Sequence, residues 1–359
     1  MRSKKLFLTL GLAGLILVLS GCTIKFGGSG GSTANVNDGG FWKSLNKGNL
    51  WTQKSYIANI SGKPMSFGSF DLYSIARDPA DRNTLYIGAI NEGMLYTYDS
   101  GESWQRVAIL GKILPRAIAV DPENHCNIYF AVDNRLNKST DCTRTWTQVY
   151  YDTDLTVKVN GLAINPSDAK EIFIATSRGD ILKSGDGGVS WAPIYRLKGT
   201  RLVKLYIAPQ NNKTLFAASD SKGLYRSKDG GATWENLDKT LKEFKEANVF
   251  QALGFGQTGS STVFLANKYG LLKSDNFGDS WSKIDLLTPD AKAVINAFTV
   301  NPKNEQELYY VTNTTFYKSV DGGKNWSAKK LPSGRAGWFL DVDPVDGNII
   351  YLGVRAIQK

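Results

Sequence analysis

Short apolar runs recur along this chain at nearly constant spacing, and they predict strands rather than helices. Each of seven runs places aliphatic, β-branched or aromatic residues at three successive positions, as buried strands do. In six of the seven units a proline ends the preceding apolar run, and because proline cannot donate to a strand ladder it marks the end of a first strand. The seven runs are residues 85–87, 128–130, 172–174, 215–217, 263–265, 308–310 and 350–352.

A polar turn motif separates the third strand of each unit from the fourth. A serine, replaced by Thr97 in one copy, stands two residues before Asp or Asn and seven residues before a tryptophan. We expect the Asp or Asn to cap its own turn by accepting N–H bonds from two or three residues on, and a following glycine to supply positive φ. We expect the tryptophan to pack between neighbouring sheets. The seven pairs are Asn46 and Trp51, Asp99 and Trp104, Asp141 and Trp146, Asp186 and Trp191, Asp229 and Trp234, Asn276 and Trp281, and Asp321 and Trp326.

The period of the motif predicts the architecture. Its tryptophans lie 42 to 53 residues apart, which leaves room for about four short strands per unit. A sustained period of this length predicts one body of stacked units. After Tyr351 the sequence leaves no room for a third and a fourth strand, whereas residues 41–44 and 51–53 supply a third and a fourth strand without a first and a second. We therefore predict an all-β, seven-bladed β-propeller over residues 41–359, whose last blade is shared between N-terminal and C-terminal strands.

The first 40 residues differ in composition from the repeats. Three basic residues precede an apolar stretch at 6–19 that is too short for a mature membrane span, so we predict a signal peptide over residues 1–21. The sequence Leu-Ser-Gly-Cys at 19–22 resembles a bacterial lipobox, which implies a lipid on Cys22. An ordinary cleaved signal or an N-terminal anchor helix is the alternative. Residues 22–40 comprise the lipidated cysteine and a Gly/Ser-rich tether.

The turn motif resembles the Asp-box, or BNR repeat, family, whose consensus is Ser-x-Asp-x-Gly-x-Thr-Trp. Residues 184–191 and 227–234 match it closely, while Asn46 and Asn276 replace the Asp and Thr143 replaces the Gly in single copies. The resemblance covers residues 41–359 and implies a propeller. The family includes sialidases, xyloglucan-cleaving hydrolases, sortilin-type receptors and photosystem II assembly factors, so it leaves the function open.

Two cysteines and one histidine fall in the second complete unit. Cys126 opens a second strand and Cys142 lies in the turn that leaves the third strand, and these positions are neighbours in an antiparallel pair. We predict a disulfide worth about 3 kcal/mol in an exported protein, with two buried free thiols as the alternative. His125, the sole histidine, is expected to be a solvated loop residue. We predict no metal site and no cofactor, because no CxxC or His spacing supports one.

Glycoside hydrolysis is the enzymatic alternative, because it needs only acidic residues, or in sialidases a tyrosine with a glutamate, an aspartic acid and an arginine cluster. The Arg-Ile-Pro motif usual in sialidases is absent. Xyloglucan hydrolases generally embrace their substrate between two propellers, and this sequence encodes one. We therefore assign no catalytic residue and interpret the Asp-box carboxylates as turn caps.

Charge patterning favours a binding protein. Without residues 1–21 the chain carries 40 basic and 33 acidic residues, a net charge of +7, which favours anionic partners. In a propeller the loops entering each first strand and the loops joining second and third strands form the mouth of the central channel. Here they carry more cations than acids, and Lys204 is expected in a loop that enters a first strand. The alternative is a set of solubilising charges partly cancelled by neighbouring acids. The candidate ligand-binding residues are Arg116, Arg178, Arg335, Arg355, Lys158, Arg201, Lys222 and Lys268. Trp338, Tyr269 and Phe70 are candidate stacking surfaces, with packing in the core or at the rim as the alternative for each.

The sequence thus predicts a monomeric, lipid-anchored propeller on the extracytoplasmic side of a bacterial cell envelope. Its expected role is that of a non-catalytic binding, assembly or stability factor for a protein or another acidic macromolecule, with the membrane reached through the N-terminal lipid and no nucleic acid as partner. A glycoside hydrolase of the sialidase or xyloglucanase kind is the alternative. A basic mouth without acids favours the binder. An arginine triad beside a Tyr-Glu pair, or two facing channel carboxylates, favours the enzyme.

Overall fold

Thirty short strands make up nearly all the regular structure of residues 37–58, 65–257 and 259–357, the part of the chain that the computed structural model describes. The predicted signal peptide, Cys22 and most of the tether lie outside these residues. Within them, no helix has the length and apolar character needed to cross a bilayer. The described part of the chain has β1 (Phe41–Ser44) and β2 (Thr52–Gln53) as its first strands and continues through a small hairpin of β3 (Tyr56–Ile57) and β4 (Met65–Ser66).

Six complete blades follow, each an antiparallel sheet of four consecutive strands. Blade 1 contains β5 (Leu72–Arg77), β6 (Leu85–Ala89), β7 (Gly93–Thr97) and β8 (Gln105–Arg106). Blade 2 contains β9 (Ala117–Val120), β10 (Ile128–Val132), β11 (Arg135–Ser139) and β12 (Thr147–Tyr151). Blade 3 contains β13 (Val159–Asn165), β14 (Asp168–Thr176), β15 (Asp180–Ser184) and β16 (Ala192–Arg196).

Blades 4 to 6 repeat this order. Blade 4 contains β17 (Leu202–Ala208), β18 (Asn211–Ser219), β19 (Leu224–Ser227) and β20 (Glu235–Asn236). Blade 5 contains β21 (Phe250–Phe255), β22 (Val263–Asn267), β23 (Leu271–Ser274) and β24 (Ser282–Ile284). Blade 6 contains β25 (Ala297–Asn301), β26 (Asn304–Val311), β27 (Thr315–Ser319) and β28 (Ser327–Lys330). The helical structure described is a 3₁₀ turn at Ala108–Leu110 and one turn of α-helix, α1 (Asp238–Leu241).

The seventh blade closes the ring as the sequence predicted. Strands β29 (Ala336–Val342) and β30 (Ile350–Arg355) join the N-terminal pair in the order β2-β1-β30-β29. Phe41 lies opposite Gly353 and Ser44 lies opposite Ile350 in an antiparallel register. The two ends of the chain therefore complete one sheet, and the seven-bladed propeller is confirmed.

The apolar core is divided among the interfaces between blades. The buried residues form seven clusters within the described ranges, one for each pair of neighbouring sheets. The closing interface contains Phe41, Trp104 and Tyr351, and the ring of Phe41 lies 4.8 Å from that of Trp104 and 5.6 Å from that of Tyr351. Closure of the ring therefore depends on residues from both ends of the sequence.

The Asp-box turns are built as predicted, with one correction to the cap. In the blade 4 copy Ser227 Oγ accepts N–H bonds from Asp229 at 3.3 Å and from Gly231 at 2.8 Å. Asp229 accepts from the backbone N–H of Thr233 at 2.9 Å, so the cap reaches four residues on rather than the two or three expected. Hydrogen bonds from the Thr233 hydroxyl and backbone lower the pKa of Asp229 to about 2. Thr97 replaces the serine with the same pattern of bonds in blade 1.

The tryptophans contact the preceding blade, but they are not equivalent. The indole N–H of Trp191 donates to Val149 O at 3.0 Å, and that of Trp326 donates to Asp285 O at 2.9 Å. Trp104 is completely buried, whereas the other six Asp-box tryptophans retain partial exposure. The turns and their tryptophans thus fix the spacing between neighbouring sheets at the periphery. The central channel is lined instead by residues in or next to the first strand of each blade, the inner strand.

Candidate functional site

The inner strands shape the channel by bulging at its mouth. The first strands of blades 1, 3, 5 and 7 each contain a register shift that leaves one residue without a partner opposite, namely Tyr73, Asn160, Gln251 and Trp338. Bulges bend a strand and redirect the extra side chain. All four residues line a cavity of about 380 Å³ at the mouth of the channel. The bulges therefore bring two amides and two aromatic rings to a single site.

Two cations occupy this cavity without a counter-ion. Arg116 precedes β9, and Lys204 lies within β17 rather than in the loop before it, where the sequence had placed it. Among the described residues neither side chain forms an ion pair, and the buried Nε of Arg116 has no hydrogen-bond partner. Burial lowers the pKa of the Lys204 ammonium. No Asp or Glu of the described chain lines the cavity, so its positive charge is not compensated locally.

An arginine and two aromatic rings form one wall of the same mouth. The guanidinium of Arg355, at the end of β30, lies 4.4 Å from the centre of the Trp338 ring and 5.8 Å from that of Tyr73. This stacking holds the Arg355 side chain against the channel wall and leaves its guanidinium without an ion pair in the described structure. Of the predicted stacking residues, Trp338 therefore lies at the site. Phe70 packs in the blade 7–blade 1 core, and Tyr269 packs against Phe244.

Most of the predicted binding cations lie at the rim and are already paired with acids. Arg178 bonds to Asp152 at 2.6 Å and to Asp180 at 2.7 Å. Lys222 is exposed and forms no ion pair among the described residues. The other paired cations are Arg335 with Asp71 at 2.5 Å, Lys158 with Asp133 at 3.1 Å, Arg201 with Asp220 at 3.2 Å and Lys268 with Glu246 at 2.5 Å. The charge-cancelling alternative thus describes much of the rim. Apart from the exposed Lys222 and the stacked Arg355, the named mouth cations that form no ion pair within the described residues are Arg116 and Lys204, which line the cavity.

The acids nearest the mouth hold the scaffold rather than face the cavity. Asp180 accepts hydrogen bonds from both Arg178 and Arg196. Burial is the largest single influence on the pKa of Asp180 and raises it, but the hydrogen bonds and charges of the two guanidiniums together outweigh burial and leave this pKa below its usual range. Asp71 accepts from Arg335 and from the backbone N–H of Ala356 at 2.7 Å. No Asp or Glu of the described residues lines the cavity, whereas glycoside hydrolysis by two carboxyl groups requires both of them to flank the bound sugar.

The two cysteines and the histidine lie at the opposite end of blade 2 from the mouth. His125 and Cys126 are in the turn between β9 and β10, and Cys142 is in the turn between β11 and β12. The structure joins Cys126 to Cys142 in a disulfide, the pairing the sequence favoured. His125 is exposed, as expected, but it lies beside both cysteines, which sequence spacing did not suggest.

Comparison with known proteins gives two kinds of similarity. Residues 197–342 match the family model described as photosynthesis system II assembly factor YCF48. A curated relative, the xyloglucanase Xgh74A of Acetivibrio thermocellus, is 27% identical in a 169-residue alignment that covers 36% of this chain and 20% of that protein. The chain therefore spans about a fifth of the length of the curated relatives it matches.

Solved structures show the same two groups. A YCF48 bound to D1 peptide aligns with a TM-score of 0.59 and 17% identity over 79% of this chain and 93% of that one. The GH74 enzyme of Niastella koreensis aligns with a TM-score of 0.59 and 17% identity over 80% of this chain, but over 51% of its own. These similarities establish the propeller fold. Nearly the whole YCF48 chain is matched, whereas about half of the GH74 enzyme is.

Proposed function

We propose that this protein is a non-catalytic binding factor, acting as a monomer in assembly or stabilisation, that receives an acidic segment of a partner protein in its channel mouth. The observation that carries the proposal is the occurrence of Arg116 and Lys204 together in a cavity that no Asp or Glu of the described chain lines.

The energetics of the two cations favour an anionic ligand. Arg116 and Lys204 are each half-buried without a counter-ion among the described residues. Partial burial of an unpaired cation is unfavourable, and an incoming carboxylate relieves that cost. The lowered pKa of Lys204 has this origin, since burial is its cause. The guanidinium of Arg116 offers paired N–H donors that match a planar carboxylate. Arg116 and Lys204 together therefore suit an Asp or Glu side chain or a terminal carboxylate.

The shape and lining of the cavity favour a peptide. Asn160 Nδ2 donates to Leu202 O, and Gln251 Oε1 accepts from the N–H of Ile295. Asn160 Oδ1 and Gln251 Nε2 are therefore the amide atoms left for a ligand. The ring of Trp338 adds an aromatic surface to the same lining. A cavity of about 380 Å³ has room for one or two side chains rather than for a folded domain, so the segment enters as an extended or terminal stretch. The likeness to a YCF48 bound to D1 peptide supports a peptide ligand for this fold.

The hydrolase alternative rests on the similarity to Xgh74A and the GH74 structures. The two-carboxylate mechanism needs two acidic side chains about 5 to 10 Å apart across a bound sugar, and the sialidase arrangement needs a glutamate and an aspartic acid besides its tyrosine. The described cavity offers cations, amides and aromatic rings instead. The geometry therefore supports the binding function over glycoside cleavage.

We place the protein on the extracytoplasmic face of a bacterial envelope membrane, anchored through Cys22, on the strength of the leader and lipobox sequences. Incorporation of an alkyne-tagged fatty acid tests this directly. The wild-type chain is expected to be labelled and to sediment with membranes, whereas a Cys22→Ser variant is expected to be unlabelled. Equal labelling of the wild-type chain and the variant would contradict a lipid anchor at Cys22.

Capture of partners from solubilised membranes tests the binding function. The full-length bait is compared with an Arg116→Gln/Lys204→Gln variant and with a Lys213→Gln/Lys324→Gln control, which removes the same charge at exposed positions on the opposite end of the propeller. We expect the first variant to lose the partner and the control to retain it. Retention by both variants would contradict the proposal.

A further inference from the structure

The end of blade 2 opposite the channel mouth brings three metal-binding side chains together. One ring nitrogen of His125 and the sulfurs of Cys126 and Cys142 all lie within 4.8 Å of one another. Two thiolates and one imidazole are the ligands preferred by Zn²⁺ and by other soft or borderline ions. Within the residues that the structure describes, this is the one group of three or more His, Cys, Asp or Glu side chains that could hold a metal ion. The proposed channel function does not use it.

The backbone holds these residues together independently of the sulfur–sulfur bond. The N–H of Cys142 donates to Cys126 O at 3.3 Å, which ties the two turns to each other. Asn124 Oδ1 accepts from the N–H of Cys126 at 3.1 Å and fixes the first turn. Ser139 Oγ accepts from the N–H of Thr143 at 2.9 Å and fixes the second. The three donor atoms are therefore expected to remain close after the disulfide is reduced.

The cluster is accessible to a reductant and to an ion. His125 is exposed, and both cysteines keep partial exposure. Cys142 also borders two surface cavities of about 310 and 470 Å³, one of which is lined by His125 and Asp78. Asp78 Oδ1 accepts the N–H bonds of Ala80 and Asp81 in its own turn. Its carboxylate is not among the three groups that lie within 4.8 Å of one another.

We propose that the reduced form of this cluster binds one Zn²⁺ ion and that the Cys126–Cys142 disulfide is its metal-free form. An external dithiol breaks the disulfide: two electrons and two protons pass to the sulfurs, and the dithiol itself is oxidised to a disulfide. Zn²⁺ then replaces the two thiol protons, which are released to solvent, and takes the imidazole of His125 as its third ligand. This site is independent of the proposed channel function.

Metal titration of the full-length Cys22→Ser protein tests the proposal, because this background leaves Cys126 and Cys142 as its thiols. After reduction with a phosphine and removal of the reductant without oxygen, Zn²⁺ is titrated against a chromophoric chelator. We expect one equivalent to bind in the reduced form and none in the oxidised form. Co²⁺ in place of Zn²⁺ is expected to give a thiolate charge-transfer band and the visible bands of a tetrahedral site.

Two variants make the result specific. His125→Ala is expected to weaken Zn²⁺ binding by about tenfold or more and to alter the Co²⁺ spectrum. Glu123→Gln, on the same turn but outside the cluster, is expected to bind as the parent does. Circular dichroism of the reduced protein checks that the fold survives. The proposal is overturned if the folded, reduced protein binds no more Zn²⁺ than a Cys126→Ser/Cys142→Ser variant, or if His125→Ala binds with parental affinity and spectrum.

Discussion

Ring closure by the N-terminal strand makes a quantitative prediction at Phe41. This side chain is completely buried in β1, between Trp104 of blade 1 and Tyr351 of β30, and its ring lies 4.8 and 5.6 Å from theirs. Truncating a buried phenylalanine to alanine typically costs about 3 to 5 kcal/mol, because apolar contacts are lost and a cavity remains. We expect Phe41→Ala to lower the free energy of unfolding by that amount.

A matched substitution separates closure from ordinary loss of packing. Phe264 is equally buried at the interface of blades 5 and 6, where its ring lies 5.5 Å from that of Phe298. Urea denaturation is expected to give Phe264→Ala a similar loss of stability. Hydrogen exchange is expected to differ: the amides of Ile350–Arg355 lose protection in Phe41→Ala alone, because β30 then becomes a sheet edge. A loss below about 1 kcal/mol for Phe41→Ala, or unchanged protection of β30, would refute the closure argument.

Three further predictions concern acid stability, proton linkage and catalysis. Because the folded-state pKa of Asp229 is lowered to about 2, below its ordinary value of about 3.9, the stabilisation from its cap is complete above pH 4 and is lost as pH falls towards 2. Thermal melts are expected to show a smaller fall in melting temperature with acid for Asp229→Asn, because an asparagine can cap this turn as Asn276 caps its own. An equal dependence of melting temperature on pH in the wild-type and variant proteins would disprove the cap effect. Binding of an acidic peptide is expected to take up protons at alkaline pH, because the bound anion raises the lowered pKa of Lys204. Calorimetry in buffers of different ionisation enthalpy measures this proton uptake. Binding heats that do not depend on the buffer would contradict it. Finally, incubation with xyloglucan or sialosides is expected to release no product above that of the Arg116→Gln/Lys204→Gln variant, and turnover by the wild-type chain would favour the hydrolase alternative.

The sequence predicts the scaffold well because the scaffold is repetitive. Each Asp-box turn depends on residues within a few positions of one another, as Ser227, Asp229 and Thr233 show. Ring closure was also predictable, since the incomplete sets of strands at the two ends complement each other. Local hydrogen bonding and strand counting were sufficient for the fold.

The channel was less predictable, because its chemistry depends on contacts between distant residues. Arg335 pairs with Asp71, 264 positions away, so its charge is cancelled by an acid that sequence proximity does not reveal. The bulges that present Asn160 and Gln251 to the channel change register by one residue and leave no clear mark in the apolar pattern. The sequence placed Lys204 in the loop before β17, whereas in the structure it lies within β17 and lines the channel cavity. A signal for it existed, since a lysine amid an otherwise apolar inner strand is unusual.

Calorimetric titration with a hexaglutamate peptide tests most directly whether the uncompensated channel cations form the binding site. The full-length protein is expected to bind one peptide. Its affinity is expected to fall by at least about tenfold in Arg116→Gln/Lys204→Gln, since a charge-assisted hydrogen bond is worth about 1.5 to 3 kcal/mol, and to stay nearly unchanged in Lys213→Gln/Lys324→Gln. Equal affinities in the two double variants would contradict the account, because the peptide would then recognise overall charge rather than the channel.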